Sequence, residues 1–240
     1  MTAPTTDAPI PFWEDLLEIF YAPRAVFERR NSAGFWLPWL ALVVALLIIF
    51  AFGRSLVNPI IEAEIDRSIG QAMKHNPKLT PEIAEKQKAF AIAMIPVSVP
   101  AAVLFGPMLI GLALWIFGKF VEARQELEAA CLVASYALFP RIIESLINLL
   151  QAAVLPAEQL TSHFVLQLGP ARFLDPDQAS PVLMAVLGRC DLVTLWCTAL
   201  LAIGLAVTGR IPLQRAAIAA GLVWLSGGLL PVVGALLSAG

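Results

Sequence analysis

Charged side chains are scarce in this 240-residue chain. They make up 14% of it, against about 25% in a soluble domain. That leaves too few polar groups to cover a surface facing water. Histidine occurs twice, as His75 and His163, and both are expected in connections between hydrophobic segments. A serine nucleophile needs a general base beside it, so the Ser226-Gly227-Gly228 stretch does not read as a protease. HExxH, Walker A and GxGxxG patterns are absent, as are cysteine–histidine ligand clusters. The chain is therefore expected to have no enzymatic activity, no metal and no cofactor. Cysteine is limited to Cys131, Cys190 and Cys197. The last two stand seven positions apart, roughly 10 Å along a helix, beyond disulfide reach. Basic runs are missing too, and the net charge is -2. Nucleic acid is thereby excluded as a partner.

What the chain has is apolar length. Hydrophobic residues reach 59% and mean hydropathy is +0.79. They come in long blocks, with neither strand alternation nor a single helical stripe, and long blocks indicate lipid. A helix needs about 20 apolar residues to cross the hydrocarbon core. Blocks at about 35–53, 90–118, 129–155, 190–208 and 216–237 meet that length. The expectation is an all-α polytopic membrane protein with about five transmembrane helices in a domain spanning 31–240. Residues 1–11 lack a basic n-region, so no cleaved signal peptide is expected and the segment reads as disordered. Phe12, Trp13, Leu16, Leu17 and Phe20 share one helical face, with Glu14, Asp15 and Glu18 opposite. Residues 12–30 thus read as a short amphipathic, interfacial segment, lying on the membrane or packed on the bundle.

The connections carry helix signals of their own. Thr80, Pro81 and Glu82 form an N-terminal signature, and Ser180 with Pro181 does the same before the fourth block. Both helices are expected to run straight into their spans. Pro96, Pro100 and Pro107 predict kinks in the second. The loops at 54–88 and 156–188 fall on one side of the membrane. On the other lie Arg24, Arg29 and Arg30, Lys119 and Arg124, and Arg210 and Arg215. The positive-inside rule weights such short, span-flanking clusters, placing the N-terminus in the cytoplasm and the C-terminus outside.

Polar residues inside a span are costly and usually face the bundle interior. Arg141 and Glu144 stand three apart on one face of the third block, and Asn148 and Gln151 continue that face as a polar stripe. Either the pair fixes helix register, or the stripe lines a path or cleft for a proton, ion or lipid headgroup. Asp191 and Arg189 sit near a span end, where snorkelling to the interface is the default. The alternative is that Asp191 reaches inward toward Arg141. Gly221, Gly228 and Ala235, with Ala217, form a small-residue face for close helix packing.

The arrangement resembles the prokaryotic branch of the Yip1 family of membrane proteins over about residues 12–237. The resemblance rests on Pro23-Arg24-Ala25-Val26-Phe27, Trp36-Leu37-Pro38, Ser135-Tyr136-Ala137 followed by Pro140, and Gly209-Arg210-Ile211-Pro212. It implies five transmembrane helices, a cytosolic N-terminus and no catalytic residues. Eukaryotic members are tied to membrane traffic and lipidated GTPases, which the short N-terminal region here does not carry over. Some prokaryotic members look like companions of ABC-type export systems. The expected function is a non-enzymatic scaffold or accessory subunit in the bacterial inner membrane, bound to the lipid bilayer and to another integral membrane protein or a second copy of itself. The runner-up is a small transporter or channel-like protein with a polar path along the third helix.

Overall fold

The computed structural model describes residues 11–75, 79–156, 159–160 and 162–239. The expected disorder of residues 1–11 falls, but for Pro11, outside them. The described residues form nine α-helices, two short 3-10 turns and no strand. In chain order the helices are α1 (Phe12–Glu18), α2 (Pro23–Arg30), α3 (Trp36–His75), α4 (Pro81–Phe120), α5 (Leu127–Ala137), α6 (Pro140–Val154), α7 (Pro181–Leu187), α8 (Leu192–Thr208) and α9 (Leu213–Ala239). Among the described residues, three segments are long and apolar enough to cross a membrane: α3, α4, and α5 with α6 as one 28-residue unit. A fourth follows if α7 and α8, bent by 50° at their junction, count together. The expected count of about five is thus approximate. The all-α, membrane-spanning class is what the structure shows.

Lipid and neighbours divide the surface of α3. Trp36, Leu40, Val44, Ile48 and Phe52 recur every four residues and all stay exposed, as a lipid-facing stripe should. On the inner side, Leu42 and Val43 are buried and the Trp39 indole donates to the Leu104 carbonyl of α4 at 3.0 Å. The region between the first two spans is helical, because α3 and α4 continue through it as far as His75 and from Pro81. Thr80 caps α4 by accepting from the Ile83 N–H at 3.4 Å. The helix then runs unbroken through Pro96, Pro100 and Pro107, as membrane helices tolerate.

Two expected continuous helices are broken. The third span divides at Leu138 and Phe139, because Pro140 starts α6 and cannot extend α5. Ser180 does cap α7, accepting from the Leu183 N–H at 3.2 Å. That helix stops at Gly188 before α8 begins, so it does not feed straight into the fourth span. His75 ends α3 and His163 opens a 3-10 turn, so neither histidine lies in irregular chain.

The core forms around α5 and α8, whose buried Val133, Tyr136, Leu200 and Leu205 meet Leu114 of α4 and Ala216, Ala219 and Ala220 of α9. At one end, the turns after α4 and α8 reverse on non-glycine residues in the left-handed region, Glu122 at φ 63° and Arg210 at φ 54°. The Arg124 N–H donates to the Gly209 carbonyl at 3.0 Å, joining the two turns.

The N-terminal segment is two short helices and not a single amphipathic one. Its expected faces are also rearranged. Trp13 and Leu17 are exposed, while Asp15 has no accessible surface. Arg29 and Arg30 of α2 fold back onto the Asp15 carboxylate, Arg30 at 2.6 Å, and Arg29 also reaches Glu18. Burial opposes the charge of Arg29, but Glu18 and Asp15 outweigh it and hold the guanidinium more firmly protonated than usual. Phe20 meets Trp196 edge-on at 5.5 Å, and Phe27 meets Tyr136 likewise at 6.2 Å.

Candidate functional site

The α5–α6 break sets Arg141 in the first turn of α6 and Glu144 just after it, facing α8. The Arg141 Nη1 donates to the Glu144 Oε2 at 2.6 Å. Its Nη2 donates to the Thr194 hydroxyl at 2.9 Å, so the pair does not close on itself. Thr194 in turn donates its hydroxyl to Asp191 at 3.3 Å and its backbone N–H at 3.0 Å. Asp191 is the N-cap of α8 and is buried. Snorkelling does not describe it. Three donors hold it inside, the third being the Leu168 N–H at 3.1 Å. It approaches Arg141 through Thr194 and not directly.

The stripe beyond the pair has a different task. Gln151 donates to the Leu166 carbonyl at 2.9 Å and accepts from Arg172 at 3.3 Å. The connection between α6 and α7 is thereby held against α6. Asn148 lies between, its Oδ1 buried without a partner. The same connection is fastened to α3, where Glu64 accepts from the His163 N–H at 2.7 Å and also meets its ring, and where Arg67 pairs with Asp177 at 2.7 Å.

Beneath this connection is a cavity of about 530 Å³, within the range of small-molecule sites. Arg141 and Thr194 line it from α6 and α8. Met184, Gly188 and Arg189 line it from α7 and its end, and Glu64, Arg67, Ser68 and Gln71 from α3. Arg189 packs across Gly228, its Nε 3.5 Å from where a Cβ would sit. It donates to the Trp224 carbonyl at 2.7 Å and lies over the Trp224 ring at 5.8 Å. The Trp224 indole returns a bond to the Arg189 carbonyl at 3.1 Å.

The small-residue face of α9 is placed otherwise. A Cβ at Gly221 would meet nothing within 4 Å, and Gly228 serves Arg189. The side chain of Ala235 lies outside the described residues. Close backbone approach occurs elsewhere. A Cβ at Gly111 of α4 would fall 2.8 Å from the Cys131 Cα, and one at Gly204 of α8 would collide with Val133. Neither glycine stands out in the sequence, since each is a lone glycine in an apolar helix.

Long apolar helices around a buried core, with a polar cavity between them, define a polytopic α-helical membrane protein. The Yip1 domain family model matches residues 17–234, and the chain belongs to that family of membrane proteins. No curated protein and no solved structure matches it.

Proposed function

We propose that this protein is a non-enzymatic membrane scaffold or accessory subunit that docks another integral membrane protein. One observation carries the reading: α3 and α4 run for 40 residues each, about 60 Å at 1.5 Å per residue, twice the hydrocarbon thickness. About half of each helix's length exceeds what a perpendicular crossing needs. The pairs Lys88–Asp66 at 2.6 Å and Lys86–Glu82 at 2.7 Å keep those halves compatible with water. Ile83 and Phe90 remain exposed among them. Such a projecting shaft is far longer than a connection requires and offers a mixed surface to a partner. An inner-membrane setting with the shaft outside, and an export system as the partner, are the forms of this reading that the short basic turns and the family favour.

A transport reading draws on the cavity that reaches Arg141. Below that point, Tyr136, Phe139 and Leu200 belong to the packed core, which favours binding over passage. Deleting residues 66–72 together with 84–90 shortens both shafts by two turns. The shortened protein should still insert while its partner no longer co-purifies from native membranes. An intact protein that runs as a lone monomer and moves a solute across liposomes would overturn the reading.

A further inference from the structure

We infer that the cavity between α3, α6 and the α7–α8 bend is a binding site for a phosphate group. The proposal is independent of the docking role. The argument begins with charge pairing inside the cavity. Arg67 has Asp177, Arg141 has Glu144, and His163 has Glu64. Asp191 is occupied by the Leu168 N–H and both donors of Thr194. Arg189 is different: among the described residues no carboxylate lies within ion-pair distance of it. Only its Nη2 is used, on the Trp224 carbonyl, and its Nε is buried without a partner.

A half-buried guanidinium without a counter-ion is expensive, and an anion entering the cavity relieves that cost. Arg141 and Arg189 reach the same space from different helices, the arrangement in which guanidinium groups clamp a phosphate. An acceptor is also waiting, since the Gln167 Oε1 is buried and unpartnered on the cavity wall. It suits the hydroxyl of a protonated phosphate. The cavity lies far along α3 from Trp36, where either a lipid headgroup or a free phosphate could enter.

Trp224, stacked on Arg189, supplies the readout. The full chain in maltoside micelles is titrated with inorganic phosphate, with dihexanoyl phosphatidic acid and with uncharged dihexanoylglycerol, following tryptophan emission. A saturable change is expected with a phosphate-bearing probe, absent with dihexanoylglycerol and abolished in Trp224→Phe. A response to phosphatidic acid alone identifies a lipid headgroup, and an equal response to inorganic phosphate identifies the free ion. Arg189→Gln should weaken binding by about tenfold or more, the scale of one charge-assisted contact, and Arg189→Lys should recover most of it. Ser68 is exposed at the rim, so its variants fold even if Arg189→Gln does not. Ser68→Glu should weaken binding and Ser68→Lys should tighten it. No saturable response to either phosphate probe, or a response that Ser68→Glu and Ser68→Lys leave unchanged, would overturn the proposal.

Discussion

Arg141 and Glu144 share one turn, but their surroundings are not symmetric, because Asp191 lies just beyond Thr194. Removing the arginine leaves two buried carboxylates facing each other. Removing the glutamate leaves an arginine with Asp191 and Thr194 still near. Arg141→Met should therefore lower the detergent-solubilised melting point most, by an amount equivalent to about 3 kcal/mol. Glu144→Met and the double variant should both cost less. A double variant as damaged as Arg141→Met would mean the charges serve something other than each other. Asp15 makes a second test. Asp15→Asn deprives Arg29 and Arg30 of their shared anion and should free α1 to proteolysis at Trp13 and Leu17 before the spans unfold. The Arg141–Glu144 spacing was legible in sequence because i, i+3 fixes a face. The positions of Asp15 and Asp191 were not. A helical wheel puts Asp15 with Glu14 and Glu18, and only the return of α2 supplies the arginines that draw it in. Likewise Asp191 lies where snorkelling is ordinarily cheapest, and the loop amide that holds it comes from 23 residues away.

The helices pack through glycines that periodicity does not single out. Hydrophobic pattern reports which helices are apolar, and it is silent on which two backbones nearly touch. At Gly111 the neighbour is the Cys131 backbone, which cannot swing aside. Gly111→Val should thus destabilise α4 against α5 by about 1–3 kcal/mol, read as a loss of melting temperature. Gly221→Ala, where space is open, should stay within about 0.5 kcal/mol of the parent. Equal effects at the two positions would place the close contact elsewhere. The broken helices were only partly legible. Pro140 is visible in the chain, but a proline in a membrane span can bend or pass through, as α4 does three times over. What decides between these outcomes is whether neighbours hold the freed carbonyls, and that is a tertiary property.

The molecule as a whole was legible as a helical, membrane-spanning protein, since scarce charge and long apolar blocks admit little else. Span count was less so, because α8 alone has 17 residues and reaches a span's length only when the bent α7 is counted with it. The proposed topology, N-terminus in and C-terminus out, is tested by cysteines introduced at Thr5 and Ser238, which should react with an impermeant maleimide from opposite faces of oriented vesicles. Reaction from one face would require an even number of crossings. The way α1 and α2 are seated has a further consequence, in the order of assembly. These helices leave the ribosome before the bundle they pack on, and the Trp196 and Gly204 parts of their seat are made well after them, in α8. At roughly 5–20 residues per second, Phe20 and Phe27 wait on the order of ten seconds or more for it. Val26, buried in the finished protein, should react with a thiol reagent as Val26→Cys in chains stalled after residue 154 and resist it in complete ones. During that interval Phe20 and Phe27 have no seat in their own chain, and the segment stays open to reagents until the bundle closes over it.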